Sequence, residues 1–238
     1  MRGRVGRAVA TLIAASCVAV CTAPPAVRAR VLLSRAPRAD ADASASQPWP
    51  RREVLELAMQ AYRCGQTLGF IERPLLTVID YSLPSSERRL WVIDLARHRV
   101  IFHELVAHGQ NSGEDVPVAF SNRMGSRQSS LGLFRTEDTY LGEHGTSLRL
   151  TGLESGINDL ARERQIVMHG AAYVSDTYLA QHGRLGRSWG CPAVPSDVHE
   201  QLIDRIRDGS AVFAYYPDSG WLQRSRFLHC DAQLANAR

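Results

Sequence analysis

From residue 75 onward the chain consists of short runs of β-branched and aromatic residues separated by polar turns, and this pattern restricts the fold more than any other feature. Segments 76–81, 90–95 and 100–106 each read as a strand, and only residues 96–99 separate the last two, which predicts a hairpin. Segments 130–136, 147–151 and 165–169 predict further strands, and 211–216 a closing one, with a polar loop over 121–130. Helical signals are fewer. Val54, Leu55, Ala58, Ala61 and Tyr62 share one face of a helix that Gly65 and Gly69 end. Residues 156–164 predict a short helix capped by Ser155. Ser196 predicts the cap of another, with Val198, Leu202, Ile203 and Ile206 inward and Gly209 as the stop. Many strands, few helices and no internal repeat predict a mainly β domain of the α+β type, a sandwich or a barrel-like sheet.

The first residues do not belong to that domain. Residues 1–7 carry three arginines and no acid, and an apolar run over 8–23 precedes Pro24-Pro25. A basic segment followed by a short apolar one is the pattern of a secretory signal, and a bilayer span needs about 20 apolar residues. The expectation is a signal peptide over 1–29, with the membrane involved only through an uncleaved or lipidated N-terminus. Ala14-Ala15-Ser16-Cys17 weakly resembles a lipoprotein box. Residues 30–50 are rich in Ala, Arg, Ser, Asp and Pro without apolar periodicity and predict a disordered linker. The remaining division is a helical segment over 51–75, the main domain over 76–217, and a tail over 218–238 whose Trp221 and Phe227 can pack on the body.

The leader also accounts for the charge. The chain has 28 basic and 24 acidic residues, a net charge of +4. Cleavage after Ala29 removes Arg2, Arg4, Arg7 and Arg28 and no acid, which leaves the remainder near neutrality. Without a basic strip interleaved with aromatics, the high pI does not point to a nucleic-acid partner. Cleavage would also remove Cys17 and Cys21, leaving Cys64, Cys191 and Cys230, an odd number for an oxidising compartment. Cys64 and Cys230 can pair, which leaves Cys191 free; sequence alone gives no distances, and other pairings stay open.

Cys191 follows Ser188-Trp189-Gly190, and His169-Gly170 lies upstream across one loop. A thiol nucleophile needs a base, an orienter for that base, and donors for the oxyanion. His169 is the candidate base and Cys191 the candidate nucleophile, while Gly190 lets the backbone approach a substrate carbonyl closely. Singly, a histidine at a strand end or a lone cysteine is more often structural than catalytic. His108 and His144 also flank glycines, where turn-forming roles are the ordinary outcome. The spacing of the histidines and cysteines lacks the close pairs of a structural zinc site, and no Gly-x-Ser-x-Gly elbow is present, so no metal or other cofactor is expected.

These residues carry a resemblance. His169-Gly170, seventeen residues, then Ser188-x-Gly190-Cys191 is similar to the signature of the murein L,D-transpeptidase catalytic domain. Leu90-Trp91-Val92-Ile93-Asp94-Leu95, residues 107–113, 125–132, 152–159 and 183–193 resemble the branch of that family with a Ser-x-Gly-Cys-Pro-Ala motif. Trp189 stands where many members have histidine, and Pro192-Ala193 where many have Ile-Arg or Leu-Asn. The resemblance implies an exported periplasmic or cell-envelope enzyme acting on the tetrapeptide stems of peptidoglycan. A Cys191 thioester would form with loss of the terminal D-alanine and then pass to an amine. The acceptor would be a third-residue side chain, a free D-amino acid or a lipoprotein lysine; water would make the protein a carboxypeptidase, and loss of chemistry a wall-binding module. The resemblance further implies that the Gly170 carbonyl orients His169 and that a thiolate–imidazolium pair is the resting form. The N–H groups of Gly190 and Cys191 are the expected oxyanion donors. Ser188, Trp189 and Arg187 are expected at the substrate, with Arg187 on a stem carboxylate, Trp189 against an acyl chain or packed inside, and Arg184 in a solvated loop.

Overall fold

The computed structural model describes residues 48–230. The signal, the cysteines at 17 and 21, and the linker up to residue 47 lie outside the described residues.

After helix α1 (Arg52–Thr67) the chain makes strands β1 (Leu75–Asp80), β2 (Leu90–Asp94) and β3 (Arg99–Glu104), then β4 (Gly132–Gly142), β5 (Gly145–Gly152) and β6 (Val167–Ala171). Helix α2 (Asp176–His182), β7 (Ala193–Pro195), α3 (His199–Ile206), β8 (Ala211–Tyr215) and α4 (Ser219–Arg224) complete it. The eight strands form one sheet in the order β3-β2-β1-β8-β4-β5-β6-β7. Every residue of β1, β2 and β8 is buried, as expected where two covered faces demand an unbroken apolar run. The two edges meet beyond β3, where Ala107 bridges to Ala193 with an N–H to carbonyl bond of 2.8 Å and Gly109 bridges to Ser188, so the sheet is a nearly closed barrel.

Helix α1 packs on β1 and β8, and α3 on β5 and β6. Val54, Ala58, Ala61 and Tyr62 join the strands in one core, as do Trp221 and Phe227, so the segments flanking the sheet are part of the same body. The Cys64–Cys230 disulfide ties the end of α1 to the stretch after α4. Among the described residues no helix is long and apolar enough to cross a membrane.

Three local expectations need correction. Residues 154–165 form successive turns, not a helix capped by Ser155. The reason is a buried polar knot: Glu154 accepts from the Leu133 N–H at 2.7 Å, and Asn158 donates to the carbonyls of Leu131 and Leu133 at 2.9 and 3.1 Å. These bonds hold the segment to β4, with Gly156 at φ +73°, and preclude a regular ladder. Ser196 does not cap α3. The N-cap is Val198, and Ser196 instead accepts from His199 Nδ1 at 2.8 Å through its carbonyl. Helix α2, capped by the Ser175 hydroxyl, was not expected; none of its residues is buried, so no apolar stripe announces it.

Candidate active site

Strands β6 and β7 bring the candidate base and nucleophile to one end of the sheet. They run parallel, with His169 opposite Ala193, so Cys191 enters β7 beside the start of β6. There the Cys191 sulfur accepts the Val167 N–H at 3.4 Å, and its thiol points to the Gln165 carbonyl at 3.6 Å. Cys191 is partly exposed and is the one free cysteine among the described residues.

His169 is buried, and its Nδ1 lies 3.0 Å from the Gly170 carbonyl. A carbonyl only accepts, so Nδ1 carries the hydrogen and Nε2 keeps its lone pair. The ring of His144, from the turn between β4 and β5, stacks on His169 at 4.5 Å between centroids. His199 lies behind: a Cβ on Gly170 would come within 2.6 Å of its ring, so glycine is required there for packing. Burial lowers the His169 pKa, against the Gly170 bond, and the neighbouring His144 and His199 lower it further. Burial raises the Cys191 thiol, against the Val167 N–H and the nearby Arg164. Each shift favours the uncharged form of its own group, the direction opposite to the expected ion pair.

The nucleophile turn is fixed by its own polar groups. The Ser188 hydroxyl donates to the Cys191 carbonyl at 2.6 Å and accepts the Gly190 N–H at 3.0 Å. Ser129 holds the turn from outside, accepting the Gly109 N–H at 3.0 Å and donating to the Gly190 carbonyl at 3.2 Å. Gly190 has φ +122°, and a Cβ there would lie 2.8 Å from the Gln128 carbonyl. Beneath lies a buried pair: Arg89 donates to the Val106 and Leu83 carbonyls and to His108 Nδ1 at 2.8 Å. His108 in turn bonds the Gly113 carbonyl at 3.3 Å, and its own carbonyl accepts the Ser188 N–H. Burial and Arg89 push the His108 pKa down to about 4, so this imidazole is a neutral strut.

Several expected roles change. The Gly190 N–H is already used by Ser188, which leaves the Cys191 N–H, for which no acceptor is found among the described residues, as the available oxyanion donor. Ser188 is buried and braces the turn instead of facing a substrate. The Arg187 guanidinium is taken up by Glu114 at 2.7 Å and the Gly113 carbonyl at 2.9 Å, so it is not free for a stem carboxylate. Arg184 is not merely solvated; it pairs with the same Glu114 at 3.1 Å. Trp189 is not packed inside. It is 70% exposed, with the Arg127 guanidinium 4.6 Å over its ring. His144, expected in a turn-forming role, lies in a turn and also stacks on His169, whereas nothing in the sequence marks His199 or Arg164 as site residues. Arg164 sits among other charges, and nothing in its spacing separates it from Arg162.

Comparison with known proteins bears on what this arrangement belongs to. Residues 47–215 match the family model of the L,D-transpeptidase catalytic domain. No curated protein sequence matches the chain. Similar solved structures include an L,D-transpeptidase from Mycobacterium smegmatis, 13% identical with a TM-score of 0.37, covering 60% of this chain and 59% of that one. The L,D-transpeptidase LdtMt1 in complex with imipenem is 14% identical, with a TM-score of 0.37 and the same coverages of 60% and 59%. The helical cell shape determining protein Pgp2 from Campylobacter jejuni is 12% identical, with a TM-score of 0.41, covering 68% of this chain and 57% of that one. The chain thus spans about three fifths of the length of these relatives. With the model matching well over half of its length, the chain belongs to the L,D-transpeptidase catalytic domain family.

Proposed function

We propose that the protein is an exported cysteine acyltransferase that acts on the tetrapeptide stems of peptidoglycan. What carries the reading is one juxtaposition. The single free cysteine among the described residues lies against β6, the strand bearing His169, whose tautomer the Gly170 carbonyl sets to leave Nε2 as a base.

In the proposed reaction the Cys191 proton passes to His169 Nε2 and the sulfur attacks the carbonyl carbon of the third stem residue. The C–S bond forms as the carbonyl π pair moves to oxygen, where the Cys191 N–H receives it. Collapse breaks the C–N bond, and D-alanine leaves with the proton held by His169. An amine then attacks the thioester, gives its proton to His169 and releases the thiol. The acceptor is a third-residue side chain, a D-amino acid or a lipoprotein lysine; water in its place gives carboxypeptidase activity. A leader over residues 1–29 would deliver the domain to the cell envelope.

The test is incubation of the purified protein with a disaccharide tetrapeptide, following products and protein by mass spectrometry. Release of D-alanine with transient acylation of Cys191 is expected, together with a stable mass shift on adding imipenem. Cys191→Ala should lose both, and His169→Ala should slow acylation at least a hundredfold near neutrality. Binding of wall fragments without either mass change would make the domain a non-catalytic module. Acylation retained in Cys191→Ala would refute the assignment.

A further inference from the structure

Arg164 closes the turn before β6, five residues upstream of His169. Its side chain is half-buried, and both terminal nitrogens are engaged. One terminal nitrogen donates to the Ser121 carbonyl and to the Ser130 hydroxyl at 2.6 Å. The other donates to the Gln128 carbonyl at 2.6 Å and the Ser126 hydroxyl at 3.2 Å. All four partners are neutral, and among the described residues no aspartate or glutamate pairs with it. Other partly buried arginines near the domain surface do have acids: Arg88 has Glu104, Arg135 has Glu72 and Glu137, and Arg187 has Glu114. A guanidinium drawn partly out of water normally takes such a partner, because its charge is costly there. This one is oriented without being neutralised.

It is aimed at the nucleophile turn. A Cβ on Gly190 would stand 3.4 Å from the Arg164 nitrogen that also holds the Gln128 carbonyl. Cys191 is the next residue, and it is the ionisable neighbour whose charge acts on Arg164, against the effect of burial. Resting on the assignment of Cys191 as nucleophile, we propose that Arg164 is the fixed counter-charge that lets the Cys191 thiolate form. When the thiol proton moves to His169, the electron pair left on sulfur appears beside a cation already locked in place, with no carboxylate to compete for it.

The other groups facing the sulfur do not supply that charge. The phenols of Tyr81 and Tyr173 are pushed up to about 12 by burial, so they stay neutral. His169 itself is held toward its neutral form by burial, His144 and His199.

The experiment is the rate of Cys191 alkylation by iodoacetamide against pH, read by mass on the whole protein; Cys64 and Cys230 are bonded and do not react. An opposite charge close to a thiol moves its titration by about one to three pH units. Arg164→Gln should therefore raise the midpoint by about one pH unit or more and slow alkylation about tenfold at neutral pH. The exposed neighbour changed as Arg162→Gln should leave the curve in place. Ser126→Asp gives the guanidinium a carboxylate without removing it, so this variant should also raise the midpoint, while Ser126→Asn should not. An unmoved midpoint in Arg164→Gln or in Ser126→Asp overturns the proposal. So does a lower plateau rate with the midpoint in place, which is the mark of a scaffold residue only. No peptidoglycan enters the assay. A wild-type protein that leaves stem peptides intact would refute the proposed reaction without touching this result.

Discussion

Replacing Gly190 by alanine puts one methyl group where the structure has no room for it. The cost has two parts. A φ of +122° lies in a region that L residues avoid, worth about 1–3 kcal/mol. The new Cβ would also lie 2.8 Å from the Gln128 carbonyl and 3.0 Å from Ile166 Cδ1. Ile166 can turn, but the Gln128 carbonyl is backbone and is held by Arg164 at 2.6 Å. Overpacking of this kind costs about 1–3 kcal/mol, so the two parts together come to roughly 2–6 kcal/mol if nothing relaxes. A shift of the turn that relieves these contacts also displaces Cys191, the next residue. A displacement near 1 Å at a reacting atom costs about a hundredfold in rate. Gly190→Ala should therefore lower the urea unfolding free energy by about 2 kcal/mol or more and slow imipenem acylation about a hundredfold. A variant with stability within about 0.5 kcal/mol of wild type and an unchanged acylation rate would refute the claim that this glycine is sterically required.

Acid should destabilise the fold through buried histidines. The folded-state pKa of His108 is about 4, below the 6.5 of an exposed imidazole, so the unfolded chain binds a proton that the folded chain refuses. That contribution is fully present above pH 6.5, is lost as pH falls from there to about 4, and amounts to roughly 3 kcal/mol at most; urea midpoints should fall over this window, and His108→Gln should flatten the slope. The pH profile of acylation should be a broad plateau: its acid limb lies below the ordinary histidine range because His169 is lowered, and its alkaline limb above the ordinary thiol range because Cys191 is raised. The Cys64–Cys230 bridge spans 166 residues, so chain entropy assigns it up to about 5 kcal/mol; Cys64→Ser with Cys230→Ser should lower the melting temperature while the folded fraction still acylates at Cys191.

The strands were legible because a sheet buried on both faces writes itself as apolar runs, and β1, β2 and β8 fall where those runs are. The relation of Cys191 to His169 was legible only as spacing; that His144 and His199 flank the imidazole depends on β5 pairing with β6 and on the position of α3. The knot of Glu154 and Asn158 reads in sequence as a polar helix, since side-chain bonds to a distant strand leave no periodic mark. Trp189 shows the limit in the other direction. A large aromatic is expected to pack inside, and one held on the surface by Arg127 is settled by the turn that carries it, not by its own hydrophobicity. Arg187 looked available and Arg184 merely solvated because Glu114 is some seventy residues away in the chain.

Strand β8 is the last to be made and lies in the middle of the sheet, parallel to β1 on one side and antiparallel to β4 on the other. Until it arrives, β1–β3 and β4–β7 share no ladder and touch only through the bridges of Ala107 to Ala193 and Gly109 to Ser188. Assembly must therefore wait for the chain past Tyr215, and pairings this remote are slow to find. A polypeptide stopped before Ala211 would keep both the cysteine and the histidine yet leave their ribbon without the strand that joins it to β1.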